Sequence, residues 1–108
     1  NSIELLKLEN LLRDSLALAP DVEIVLSYLE MPDTTDLPAH YHPGEEFVYV
    51  IEGSGELTLE GKKTVLKEGE FVKIPFKAVH SFRTIDQHAR AVVFRVHEPG
   101  QPDRILVE

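Results

Sequence analysis

The sequence predicts an all-β fold, an antiparallel jelly-roll barrel preceded by a short N-terminal extension. Three observations carry this. Short runs rich in β-branched and aromatic residues recur about every 8–12 residues, the spacing of a sandwich or barrel. Gly, Pro and Asp punctuate them at nearly every junction. No helical run long enough for a parallel crossover separates them, so the pairing should be antiparallel, and a jelly roll leaves few exposed edges.

Residues 1–21 form the extension, with leucines at 5, 6, 8, 11, 12, 16 and 18. Leu5, Leu8, Leu12 and Leu16 suit one face of a helix, whereas Leu6 with Leu8 and Leu16 with Leu18 suit strand alternation, so both readings stand. Pro20-Asp21 closes the segment. Left uncovered, these leucines make a large apolar face, which points to packing on the barrel or on a second copy, hence a homodimer.

The barrel is expected over 22–108. Its runs are Val22–Met31, Leu37–His42, Glu46–Glu52, Glu56–Glu60, Lys63–Lys67, Phe71–Ile74, Val79–Thr84, Ala89–His97 and Ile105–Val107. Gly53-Ser54-Gly55 reads as a hairpin and Asp86-Gln87 as a turn.

Composition narrows the function. The absence of cysteine excludes disulfides, thiolate metal sites and cysteine nucleophiles. A net charge of −8 repels phosphate backbones and anionic membranes, so neither nucleic acid nor membrane is an expected partner. No apolar run approaches the ~18 residues of a membrane span. The chain begins at Asn1; a soluble, cytoplasmic protein is the default expectation, with a periplasmic or secreted one open if a signal peptide was removed.

The chemistry concentrates on four residues. His40 and His42 are two apart on a strand-like run, so both imidazoles project from one face. Pro43-Gly44 then bends the chain, and Glu46 can return its carboxylate to the same point. A barrel would bring His80, beyond Pro75, across to them. Three imidazoles and one carboxylate suit one divalent transition metal (Fe, Mn, Ni, Cu or Zn) with coordination positions left open. A small organic ligand or substrate is the expected partner. The His-x-His-x3-Glu pattern alone would arise by chance in roughly one chain in forty of this composition, so the second motif matters.

These residues carry a resemblance. His40-Tyr41-His42, Glu46 and Gly53 look like the first cupin motif; Gly69, Pro75 and His80 look like the second. The sequence thus resembles a small single-domain cupin, which implies a double-stranded β-helix jelly roll with His40, His42, Glu46 and His80 as inward-pointing metal ligands. It also implies a superfamily that includes dioxygenases, isomerases, lyases and non-catalytic binding barrels, many of them homodimers. Three positions depart from the motifs: Thr34 and Lys77 stand where glycine is expected, and Thr84 where asparagine is. The two turns without glycine need not adopt positive φ.

The expected function is a metal-dependent enzyme on a small organic substrate, dioxygenase-like in first place, with Glu46 able to act as a base. A ligand-binding or sensor barrel, or an isomerase or lyase, is the alternative. Val48 and Val50 share parity with Glu46, and Phe82 with His80, so these three should line the substrate pocket. Arg95 has two readings: with His97 it lies on a solvated face opposite Val92, Phe94 and Val96, or it grips a substrate carboxylate. Plainer readings exist for the ligands too: a solvated strand end for His40 and His42, a surface carboxylate beside Glu45 for Glu46, a hydrogen-bonded core histidine for His80. Tyr28, Tyr41 and Tyr49 are unassigned proton donors, and His88 is a solvated turn residue.

Overall fold

Branched and aromatic residues alternating with Gly and Pro give strands and turns throughout residues 6–107, which the computed structural model describes; there is no helix among them. Hence none of the described residues forms a helix long and apolar enough to cross a membrane. Eight strands follow in chain order: β1 (Lys7–Ser15), β2 (Glu23–Met31), β3 (Asp36–Tyr41), β4 (Gly44–Leu59), β5 (Lys62–Lys67), β6 (Phe71–Ile74), β7 (His80–His97) and β8 (Ile105–Leu106). All pairings are antiparallel, along the order β1-β2-β7-β3-β8, with β4 pairing β5, β6 and β7. This is the jelly-roll arrangement.

One expectation is corrected and two open readings are decided. In the extension Lys7–Ser15 form a strand, one of the two spacings its leucines allowed: β1 pairs with β2 from Lys7↔Glu30 to Ser15↔Glu23. Leu6 packs against the core cluster of Leu29 and Met31, whereas Leu8, Leu11 and Leu12 are each 44–54% exposed, so their spacing held no information about a helical core face. Leu5 lies outside the described residues. Second, Gly53-Ser54-Gly55 is not a hairpin, nor does Asp86-Gln87 end a strand. β4 and β7 run through these points and pair with each other from Gly44↔His97 to Leu59↔His80. The register jumps where Gly53↔Ala89 gives way to Gly55↔Thr84, so the glycines mark a bulge where both strands bend together. Gly53 has φ +81°, and a Cβ there would sit 2.0 Å from the His88 carbonyl oxygen. Third, Lys77 does adopt positive φ, at 59°, although it carries a side chain.

Thr84 takes up a fastening role. Its hydroxyl donates to the Pro32 carbonyl (2.9 Å) and accepts from the Thr35 amide (3.0 Å), which anchors the turn before β3.

Two apolar clusters form the core. One joins Leu29, Met31, Ala89, Ala91 and Val93; the other joins Val50, Leu57, Leu66 and Ile74. Val48 and Phe82 pack against both. On the late half of β7 the inward residues are Ala89, Ala91, Val93, Arg95 and His97, while Val92, Phe94 and Val96 are only half-buried. The solvated-face reading of Arg95 and His97 therefore fails. Apolar residues occupy both faces of this run, so alternation could not orient it. Phe94 instead meets Phe47, itself 38% exposed, with ring centroids 6.1 Å apart.

Candidate metal centre

β3, β4 and the start of β7 bring His40, His42, Glu46 and His80 together, and all four are buried. His40 pairs with His80 in the β3–β7 register. One ring nitrogen from each of His40, His42 and His80 lies within 4.8 Å of the others. Gly44 makes the bend between His42 and Glu46 possible: a Cβ there would overlap the Val96 carbonyl oxygen at 2.0 Å and the His97 backbone at 2.5 Å.

Each imidazole is pinned through Nδ1. His40 Nδ1–H donates to the Pro38 carbonyl (2.7 Å), His80 Nδ1–H to that of Ala78 (3.0 Å) and His42 Nδ1–H to that of Asp103 (2.6 Å). With Nδ1 committed as donor, Nε2 is left with its lone pair, the tautomer a metal ligand requires. Glu46 Oε1 lies 2.7 Å from His42 Nε2 and 3.1 Å from His80 Nε2. His42 Nε2 and Glu46 Oε1 are nevertheless buried without an aligned hydrogen bond. Two acceptors this close need positive charge between them, either a proton or a metal ion. Bonds of about 2.1 Å at right angles would set neighbouring donors about 3.0 Å apart, close to the spacing of Glu46 Oε1 from His42 and His80. The donor set thus fits a divalent transition metal.

The electrostatics agree. Burial holds the His40 imidazole down to about 4, aided by the neighbouring His80 and His42 against its bond to Pro38. Burial alone would push the Glu46 carboxyl up, but the adjacent His42 and His80 hold it well below the carboxylate range. For His80, burial works downward and is outweighed by Glu46 and the Ala78 carbonyl, leaving the imidazole above its ordinary value. Without a metal the centre therefore favours a proton shared between His80 and an ionised Glu46.

A cavity of about 60 Å³ adjoins these residues. His40, Glu46 and His80 contribute to its wall together with apolar residues from both core clusters, including Val48, Val50, Leu57 and Phe82. Arg95 is buried but does not line it; its guanidinium donates to Ser27 Oγ (3.1 Å), so the structure gives no support to a grip on substrate. Tyr28, Tyr41 and Tyr49 do not line it either. His88 is on the surface beside Glu52 (3.3 Å). The Asp103 carbonyl behind His42 went unforeseen, since a backbone acceptor 61 residues along the chain leaves no sequence signal.

A barrel with an interior triad of histidines beside a carboxylate defines the class, a single-domain barrel of cupin type. The chain belongs to the cupin family: the Cupin_2 family model, cupin domain, matches residues 27–97. It is 31% identical over 116 residues to an uncharacterized protein of Aquifex aeolicus, with 97% of this chain and 93% of that protein covered. It is 46% identical over 55 residues to the polyketide synthase CurC of Streptomyces cyaneus, covering 49% of this chain and 36% of CurC. The polyketide cyclase RemF of Streptomyces resistomycificus superposes with a TM-score of 0.68 at 32% identity, covering 79% of this chain and 61% of RemF.

Proposed function

We propose that this cupin is a metal-dependent enzyme acting on a small, largely apolar organic molecule, with His40, His42, His80 and Glu46 as ligands to one divalent transition metal. The observation that carries this is the trio of imidazoles, each fixed through Nδ1 and gathered at one point, with Nε2 of His42 and His80 turned toward the buried Glu46 carboxylate. A metal bound there supplies Lewis acidity and, if it is iron, electrons for dioxygen.

The chain's own residues do the rest. The apolar wall, with Val48, Val50 and Phe82, excludes water and seats the hydrocarbon part of the substrate. That wall has no polar side chain beyond His40, Glu46 and His80, so a polyhydroxylated sugar would lose hydrogen bonds it could not replace. The substrate is therefore a molecule with its polar atoms at the ligand end. Glu46, whose carboxylate the neighbouring histidines favour in its ionised form, is placed to take a proton from the substrate and return it to the product.

Dioxygen-dependent oxidation comes first, since three imidazoles and a carboxylate leave positions for substrate and dioxygen together. A second reading is a redox-neutral cyclisation or elimination with Glu46 as the base, favoured by the 32% identity to the polyketide cyclase RemF. The test is to incubate the iron-loaded and zinc-loaded chain with catechols, keto acids and short polyketide-like β-diketones, with and without dioxygen. Turnover tied to dioxygen uptake supports the first reading, and anaerobic turnover supports the second. Saturable binding without product from any of them would sink the enzyme reading in favour of a sensor barrel.

We also propose a homodimer formed over β1. All nine of its residues are exposed, and Leu8 and Leu11 crown a strand hydrogen-bonded on one side only. Sedimentation equilibrium at micromolar concentration should give twice the chain mass; a monomer would contradict this.

A further inference from the structure

We infer that Arg13, on the N-terminal strand, is a positioning residue for the metal ligand His42, acting through Asp103; this rests on the reading that His42 binds a metal.

The segment after β7 is the outer support of the centre. Glu98 N–H donates to the Pro43 carbonyl (3.2 Å), and Val107 N–H to that of Ala39 (3.1 Å). β8 pairs with β3 at His40↔Leu106 and Tyr41↔Ile105. Between these ties, the Asp103 carbonyl accepts the Nδ1–H of His42. His40 and His80 each use a carbonyl two residues back on their own strand, so their orientation is local. His42 alone depends on a distant segment, which has no strand partner between Glu98 and Arg104.

What steadies that segment beside His42 is Arg13. Its guanidinium forks, donating through one nitrogen to the Asp103 carboxylate (2.8 Å) and through the other to Glu23. Glu23 in turn meets the buried His97 ring (3.2 Å), whose backbone packs against Gly44 in the bend between His42 and Glu46. Arg13 thus joins β1, β2 and the C-terminal segment where the His42 acceptor sits. A forked guanidinium can hold two carboxylates at once, and a lysine cannot. Losing an outer-sphere partner of a metal-bound histidine weakens metal binding by about 10–100-fold. Arg13 acts one bond further out, and its side chain is 42% exposed, so screening reduces the effect.

The experiment measures Zn(II) dissociation constants of the full chain by competition with a chromophoric chelator, at low and high ionic strength. Arg13→Ala and Asp103→Asn should each weaken Zn(II) by about threefold to tenfold, with no further loss in the double variant. Arg13→Lys should recover only part of the loss. Wild-type affinity should drop toward that of Arg13→Ala as salt is raised, while the variant changes little. In a His42→Ala background, Arg13→Ala should add nothing. Wild-type affinity in Arg13→Ala and Asp103→Asn would overturn the inference while leaving the metal reading intact. So would an equal loss with and without His42, because Arg13 would then act on the fold at large. Failure of the wild-type chain to bind Zn(II) or any other divalent metal would instead bring down the metal reading, and the inference with it.

Discussion

The barrel interior holds two regions that are equally buried and chemically opposite. Around Val50, Leu57, Leu66 and Ile74 every side chain is apolar, and burial itself supplies the stability. Around His40, His42, Glu46 and His80, burial works against the charged forms of the groups it encloses, and two facing acceptors have no aligned donor. A fold selected for stability alone would fill the second region like the first. That it does not is intelligible if a cation completes the second region, and the two should then respond to different perturbations.

The sharpest contrast is between His80→Ala and Leu57→Ala. His80→Ala should weaken metal binding more than 100-fold, beyond the range of outer-sphere changes, and abolish the metal-dependent rise in unfolding temperature. In the wild type that rise reflects about 2.7 kcal/mol when free metal is a hundredfold above Kd. Leu57→Ala should cost about 2–3 kcal/mol, at the low end for a buried leucine because a cavity already adjoins it, yet keep the full metal-dependent rise. Thermal unfolding of both variants, with and without metal, checks the pair. A normal metal response in His80→Ala, or none in Leu57→Ala, would erase the contrast.

pH should separate the regions as well. His80 sits above its ordinary value, so its proton stabilises the metal-free fold below the usual histidine range, and that contribution is lost as pH rises through the raised value. A metal must displace this proton, so affinity should rise with pH by about tenfold per unit until it is gone. His40 has the opposite sign: it stays neutral down to about 4, and its contribution, present above the ordinary histidine value, is lost as pH falls toward 4. Metal titrations across pH 5–8 should show the rise; a flat profile would mean that no histidine proton is displaced.

The convergence of His40, His42, Glu46 and His80 was legible because these residues obey a local rule, alternation on a strand followed by a bend, and because Gly53, Gly69, Pro75 and His80 continue the same family pattern. The inward positions of Val48, Val50 and Phe82 followed from parity with Glu46 and His80. Where local signals were ambiguous or long-range pairing decided the outcome, the reading failed or stayed open. Gly53-Ser54-Gly55 has the chemistry of a hairpin, but pairing with the bend at 85–88 makes it a bulge. β1 satisfied helical and strand spacing equally, and its register with β2 settled the matter. Arg95 and His97 were misplaced because β7 is apolar on both faces there.

The smallest expected effect lies at Lys77, whose positive φ strains a residue with a side chain. Lys77→Gly should stabilise the protein by about 0.5–1 kcal/mol in urea unfolding, with metal affinity unchanged. Destabilisation would mean that the contact of Lys77 with the Phe76 ring, 5.0 Å from its centroid, outweighs the backbone term.

The central claim is that four buried side chains hold a single metal ion, and its most direct test is the metal content per chain of untagged protein, by inductively coupled plasma mass spectrometry. After reconstitution in turn with Fe, Mn, Ni, Cu and Zn, the wild type should retain close to one equivalent of at least one metal, and the His40→Ala and His80→Ala variants should retain essentially none. Retention of no metal by the wild type, or of a full equivalent by both variants, would contradict it.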